Sequence, residues 1–222
     1  MSRRTARRAS GFAGALVACC AAAGSARAQV PGRCEVPVAQ RASEAGCYIL
    51  AAVALGELPA VPLFWHLYAY PDRATAEAAA GPRATVVEAH GRIWLFAVAA
   101  QDWRPPGGER MAALGPFRAR PGAGYTAHYV EAVFPPGMRT VAHQHHGPEA
   151  SYVVAGEECV ETPAGRLVSR AGEGAVVPEG TPMVLVNPGP EMRRAVALIL
   201  HDAAHPWSVP APDWRPTGLC GG

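Results

Sequence analysis

The stretch that decides the fold of this chain is GMRTVAHQHHGPE, residues 137–149, which is followed by Gly156. It places His143, His145 and Glu149 within seven residues of one another. Side chains alternate between the two faces of a strand, so the two histidines point to the same side. A Gly-Pro turn then allows Glu149 to return to that side. Two imidazoles and one carboxylate are the ligand set of a 2-His-1-carboxylate metal site, which this stretch therefore predicts.

The chain resembles the cupin superfamily through two ordered motifs over about residues 120–208. A first motif of the form Gly-x5-His-x-His-x3-Glu-x6-Gly is met at Gly137, His143, His145, Glu149 and Gly156. A second motif of the form Gly-x5-Pro-x-Gly-x2-His-x3-Asn is met at Gly172, Pro178, Gly180 and Asn187. The departure from the family pattern is Met183, which stands where the family usually has its third histidine.

This resemblance implies a mostly β fold, a double-stranded β-helix (jelly-roll) barrel. It also implies one divalent transition metal (Fe, Cu, Ni, Mn or Zn) bound by His143, His145 and Glu149. Met183 would then be a weak thioether ligand or an apolar wall beside an open coordination position. A cupin that has kept its barrel and lost its metal is the competing interpretation.

Cupins carry many reactions on one barrel, so the motifs leave the function open between two classes. One hypothesis is a small-molecule dioxygenase or related oxidoreductase, since this ligand set leaves positions open for substrate and dioxygen. The alternative is a non-catalytic module that binds a small molecule or the metal itself. His128 and Tyr152 are candidates for an acid or base by their position in the pattern alone.

The sequence divides into four predicted segments. Short strands with turns about every 8–12 residues favour a jelly roll in the second half, where the apolar run Ala195–His201 predicts a strand buried on both faces. The first half predicts further strands and a short helix capped by Asp72. Trp65, Trp94 and Trp103 are expected in the core or at a domain interface, with substrate stacking by one of them as the alternative. The segments are a signal peptide at 1–28, an N-terminal α+β extension at 29–118, the cupin barrel at 119–208 and a C-terminal tail at 209–222.

The first 28 residues have the pattern of a secretory signal. A basic start with Arg3, Arg4, Arg7 and Arg8 precedes an apolar run over residues 11–24 and an Ala-x-Ala site ending at Ala28. Cleavage there predicts a periplasmic or secreted protein. The alternative is a lipoprotein anchored at Cys19, because residues 16–19 resemble a lipobox.

Charge and composition limit the classes of partner that this protein is expected to bind. The chain contains no lysine, and removing the five arginines of residues 1–28 from 20 basic residues leaves 15 against 18 acidic ones, a formal −3. No cluster of arginines interleaved with aromatics occurs, which argues against nucleic-acid binding. We expect a small-molecule ligand or substrate in the barrel, a homodimer as in many cupins, and membrane attachment only if Cys19 is lipidated.

Four cysteines follow the predicted cleavage site, and an even number in an exported protein indicates disulfides. Cys34 with Cys47 is the favoured pair because it closes a short loop. Cys159 with Cys220 would then attach the C-terminal tail to the barrel. A buried free thiol at Cys159 is the alternative.

Overall fold

The computed structural model describes residues 34–221, whose regular structure is almost entirely β. Besides the strands it contains a 3-10 turn, Val38–Gln40, and one helix, α1, Arg73–Ala79. The strands are β1 Val36–Pro37, β2 Gly46–Glu57, β3 Leu63–Tyr70, β4 Ala84–Ala89, β5 Arg92–Ala100, β6 Glu109–Phe117, β7 Gly124–Phe134, β8 His143–Gln144, β9 Glu149–Ala155, β10 Glu157–Thr162, β11 Gly165–Arg170, β12 Gly174–Val177, β13 Val184–Val186, β14 Arg193–Asp202 and β15 Val209–Pro210.

Two sheets that share an apolar core form the barrel. The larger has six strands in the order β1-β2-β7-β14-β9-β12, and the smaller has three in the order β11-β10-β13. The strands β8 and β15 form a separate antiparallel pair. The strand β14 lies between β7 and β9 and is buried along nearly its whole length, as its apolar run predicts. The expectation of a mostly β, double-stranded β-helix fold is confirmed.

The six-stranded sheet has a different core on each face, because its side chains alternate. Tyr129 of β7 and Leu198 of β14 pack on the outer face against the N-terminal strands. Their neighbours Val130 and Ile199 point into the barrel. The sheet therefore separates an outer core from the barrel interior.

A four-stranded antiparallel sheet, in the order β4-β5-β3-β6, covers that outer face. Trp65 of β3 and Trp94 of β5 are fully buried in the outer core, as predicted. Trp103 packs partly buried in a smaller cluster beside α1. The helix begins as predicted, since the Asp72 side chain accepts a hydrogen bond from the backbone N–H of Thr75 at 2.8 Å.

The barrel sheet includes two strands that precede the predicted domain boundary at 118/119. The strands β1 and β2, in the segment assigned to the extension, belong to the six-stranded barrel sheet. The twelve residues of β2 pair antiparallel with β7. Such a pairing joins segments far apart in the chain, and local periodicity does not reveal it. Only β3 to β6 and α1 form a separate layer.

Two disulfides connect Cys34 with Cys47 and Cys159 with Cys220, the pairings that the sequence favoured. Their Cα–Cα distances are 4.7 and 5.6 Å. The second bond joins the C-terminal tail to β10, where Cys159 and Cys220 pack with Val184 and Val186. Disulfides persist in oxidising compartments, so this pair of bonds indicates that the protein resides in one.

The predicted signal peptide at 1–28 and the alternative lipidation of Cys19 lie outside the described residues. Within residues 34–221, no helix has the length and apolarity needed to cross a membrane.

Candidate metal centre

His143 lies on β8, His145 directly follows that strand, and Glu149 is the first residue of β9 after a tight turn. His143 is held in place by two backbone hydrogen bonds with Met183: its N–H donates to the Met183 carbonyl at 3.1 Å, and the Met183 N–H donates in return at 2.8 Å. The carbonyl of His145 accepts from the N–H of Gly180 at 2.9 Å. The first cupin-like motif is thus fixed in place by the second.

Two glycines allow the backbone to approach β14 closely: Gly147, in this turn, near the end of that strand, and Gly156, between β9 and β10, near its start. A Cβ on Gly147 would lie 1.8 Å from the carbonyl oxygen of Leu200, so no side chain fits there. Gly156 has a φ of +75°, and a Cβ on it would lie 3.0 Å from the Cα of Arg193. The backbone around the site therefore requires glycine at both positions.

The structure brings His143, His145 and Glu149 together in the barrel interior. One ligand atom from each residue lies within 4.8 Å of the other two. All three side chains are buried. The face alternation predicted from the His-x-His spacing is present, since Gln144 and His146 are more exposed than their neighbours.

Backbone carbonyls orient both imidazoles. Nδ1 of His143 lies 2.9 Å from the Val141 carbonyl oxygen, and Nδ1 of His145 lies 2.6 Å from that of Trp207. A carbonyl only accepts, so each ring carries a proton on Nδ1, which leaves Nε2 as the nitrogen available to a metal. Metal-binding histidines are oriented in this way by a partner on their other nitrogen.

Two buried polar atoms of the cluster lie close together without forming a hydrogen bond. Nε2 of His145 lies 2.9 Å from Oε2 of Glu149, yet neither atom has a hydrogen-bond partner of acceptable geometry among the described residues. An unsatisfied buried polar atom costs free energy. A cation between them would satisfy both, and the residues present therefore fit a metal ion.

The charge states also suit a metal. Burial lowers the pKa of the His143 imidazole, with the neighbouring His145 acting in the same direction. Burial raises the pKa of the Glu149 carboxyl, but its contact with His145 and the charges of the two histidines and Arg193 outweigh this, so its pKa lies below the usual value. The site thus favours a neutral imidazole and an ionised carboxylate, the forms that bind metals.

Met183 is fully buried and packs with the apolar side chains of the barrel interior. Its backbone pairs with that of His143 across an antiparallel bridge, and directly opposed residues in such a pair project to the same face. The expectation that Met183 lies in the barrel beside the histidines agrees with this arrangement. Its role as a ligand stays a prediction.

The two acid–base candidates lie in different places. Tyr152 packs in the outer core near Trp94, on the opposite face of the sheet from the metal cluster. The ring of His128 stacks on His201 at 5.0 Å and lies 5.1 Å from Trp207, whose ring also stacks on His145. Only His128 therefore lies on the barrel side, one aromatic ring away from a predicted ligand.

Sequence reasoning missed two charged residues of the barrel interior, Arg193 and Glu158. Both are fully buried, and an ion pair joins Arg193 Nη2 to Glu158 Oε2. The alternation along β14 contained the signal, since Arg193 has the same parity as the inward-facing Ala197 and Ile199. Arginine is seldom fully buried, so the position of Arg193 on the strand did not by itself predict that its side chain lies in the barrel interior.

Two adjoining cavities reach the cluster. The inner one, about 30 Å³, is lined by His143, His145, Glu149 and Arg193 among others. The outer one, about 180 Å³, is lined by Glu35, Val141, His143, Trp207, Ser208, Val209 and Pro210. His143, Trp207 and Ser208 line both cavities, so the outer one forms a vestibule to the inner one.

A scan against protein-family models gave no match. A search of curated proteins found no similar sequence.

Several solved structures are similar to part of this chain. A cupin domain from Bordetella pertussis Tohama I is 27% identical, with 33% of this chain and 80% of that one covered, at a TM-score of 0.30. A double-stranded β-helix protein from Klebsiella pneumoniae is 23% identical, with 38% and 70% covered, at a TM-score of 0.35. An oxalate oxidase in complex with glycolate is 26% identical, with 40% of this chain and 46% of that one covered, at a TM-score of 0.33.

Proposed function

We propose that this chain, which has the cupin fold, is an exported protein that binds one divalent transition metal in its barrel. His143, His145 and Glu149 would be the ligands, with Met183 as a weak fourth ligand or an apolar wall. The observation that carries the proposal is the convergence of three buried ligand atoms within 4.8 Å, two of them on imidazoles whose Nδ1 atoms face backbone carbonyls.

When bound, the metal would supply Lewis-acid and redox chemistry to a small molecule in the inner cavity. The chain's own residues prepare the site for this. The carbonyls of Val141 and Trp207 fix the rings, and the apolar residues of the barrel exclude bulk water. Oxidation of a small substrate by dioxygen is the catalytic function that this ligand set suits best.

The second candidate is a non-catalytic module that captures a metal or a small ligand. Its support is Met183, because a thioether in place of the third imidazole weakens a site for Fe(II), Zn(II) or Ni(II) and suits Cu(I). The inner cavity, about 30 Å³, has room for no more than a small group of a ligand beside a metal.

Metal analysis and oxygen uptake separate these functions. Protein purified from its native compartment should contain about one metal per chain. Oxygen uptake with a panel of small phenolic and carboxylic substrates should then exceed that of the metal-free protein. Metal without substrate-dependent uptake would favour the binding module. Protein that neither contains nor takes up any of the candidate metals would contradict both.

The proposed location is the periplasm or the exterior of the cell. The two disulfides support an oxidising compartment, and the signal pattern of residues 1–28 supports export. Intact-mass analysis of protein from the cell envelope should give a chain that begins at Gln29. A diacylglyceryl group on Cys19 would instead establish the lipoprotein. A homodimer and the lack of nucleic-acid binding stay predictions.

A further inference from the structure

Arg193 is a fully buried cation, and some of its N–H groups have no hydrogen-bond partner among the described residues. Its side chain lines the same inner cavity as His143, His145 and Glu149. The Nη2 atom pairs with Glu158, but Nε and Nη1 have no hydrogen-bond partner among residues 34–221. Those two nitrogens carry three of the five N–H donors of a guanidinium. Unsatisfied buried donors are costly, so the site lacks a partner that would accept from them.

The surroundings of Arg193 fix it in position. The Phe134 ring covers the guanidinium, with Cζ 4.8 Å from the ring centroid. Glu158 is held in turn by a hydrogen bond from the Ser151 hydroxyl. With one face of the guanidinium against a ring, its in-plane N–H groups remain to donate. Each of these N–H groups can donate a charge-assisted hydrogen bond to a carboxylate oxygen.

The charges of the interior point to the same ligand. Burial lowers the pKa of Arg193 to about 10, which still leaves the guanidinium protonated at neutral pH. Glu149 and Glu158 contribute two negative charges against this one positive charge. A divalent metal would change the sum from −1 to +1, and buried charge without compensation is unfavourable. One monoanion in the cavity would restore neutrality.

The volume limits the size of the anion. A cavity of about 30 Å³ has room for about two water-sized groups. That is about the size of a carboxylate head, which is smaller than a sulfate or phosphate group. Any substituent would extend into the vestibule of about 180 Å³ past Trp207 and Ser208.

We propose that Arg193 forms a carboxylate-binding subsite, and that the ligand or substrate of the barrel is a small carboxylic acid whose carboxylate lies between Arg193 and the metal cluster. This inference rests on the proposed metal site, because the divalent cation creates the positive charge that the carboxylate neutralises. Arg193 and the metal would together select a carboxylate over a neutral molecule of equal size.

The test compares acetate with acetamide, which has almost the same shape and no charge. Metal affinity is measured first by isothermal titration, and the metal-loaded protein is then titrated with each compound. We expect acetate to bind at least tenfold more tightly than acetamide. The double variant Arg193→Gln/Glu158→Gln removes the ion pair as a unit, so that no unpaired charge remains. It should lower acetate affinity at least tenfold while metal affinity changes little.

The double variant Arg170→Gln/Glu157→Gln is the matched control, because it removes an ion pair of the same residue types at the surface, where the Arg170 side chain is 70% exposed. Acetate should bind this variant as it binds the wild type. Circular dichroism and the thermal midpoint of each variant check that it is folded. If the double variant is unfolded, Arg193→Lys takes its place, since it keeps the charge but lacks the planar donors; it should bind acetate more weakly than the wild type does.

The outcomes separate the two proposals. Equal affinity for acetate and acetamide, or acetate binding that is unchanged without Arg193, would overturn the carboxylate subsite and leave the metal site intact. A wild-type protein that binds no metal would contradict the proposed function, and the carboxylate subsite with it.

Discussion

The two faces of the six-stranded sheet illustrate two different uses of one set of strands. On the outer face, Trp65, Trp94 and Phe96 pack against Tyr129 and other apolar side chains. On the inner face, the same strands present charged or titratable groups among apolar ones, including His128, Glu149, Ser151, Arg193 and His201. Neighbouring residues of one strand therefore belong to environments with opposite chemistry.

This difference separates the residues that mainly stabilise the fold from those that we expect to bind ligands. The outer core buries large aromatic rings, which contribute to folding through the area they remove from water. The inner core places charged groups in a low-dielectric region, where they are tolerated only when paired. We therefore expect variants of the outer face to change the free energy of unfolding, and variants of the inner face to change ligand affinity.

The largest expected effect is on the outer face. Trp94→Ala removes a fully buried ring and the hydrogen bond from its Nε1 to the Ala89 carbonyl at 3.0 Å. We expect the free energy of unfolding to fall by about 3–5 kcal/mol, measured by urea denaturation. Metal affinity of the folded protein should be nearly unchanged. Leu167→Ala, at a surface position that is 42% exposed, should cost less than about 0.5 kcal/mol. A large loss of metal affinity in Trp94→Ala would show that the two cores are coupled.

The next effect is on the inner face. His145→Ala or His143→Ala removes one of three predicted ligands, and we expect metal affinity to fall at least about 100-fold, about 2.7 kcal/mol, with the barrel still folded. His146→Ala is the control: this residue is adjacent in sequence, but its ring stacks on His205 outside the cluster. Unchanged metal stoichiometry in both ligand variants would contradict the assignment.

Met183→His tests the one departure from the family pattern. An imidazole is a better ligand than a thioether for borderline metals, so affinity for Fe(II), Zn(II) or Ni(II) should rise about tenfold or more, at least about 1.4 kcal/mol. Any preference for Cu(I) should fall. Equal affinities for every metal would mean that this side chain does not face the site. A wild type that binds nothing beside a variant that binds well would identify a cupin that has lost its metal.

The smallest effect is a dependence on pH that belongs to the inner face. Burial, together with the charges of His201 and His145, lowers the pKa of His128 to about 4 from 6.5. The unfolded chain therefore takes up this proton first as the pH falls. The contribution of the neutral ring to stability is fully present above about pH 6.5 and is lost progressively toward pH 4.

The variant His128→Phe should accordingly lose less stability between about pH 7 and pH 5 than the wild type does. Urea midpoints at the two pH values, measured with a chelator so that metal release plays no part, give the comparison. Identical losses in both proteins would show that His128 is not buried as a neutral ring.

The sequence by itself determined the features that depend on local spacing. The His-x-His alternation predicted that His143 and His145 share a face, and both are buried in the cluster with Glu149. The Asp72 cap and the apolar run of β14 were likewise predictable, because a cap and a strand periodicity are set within a few residues. The favoured pairing of Cys34 with Cys47 followed from the short loop between them.

Only the tertiary structure decided the features that join distant segments. It placed β2 beside β7 in the barrel sheet, moved Tyr152 to the outer core and buried Arg193 with Glu158 in the interior. Each depends on which strands become neighbours and which face of the sheet is covered. Strand pairing across the chain is set by the summed burial of many side chains, and no local pattern carries that information.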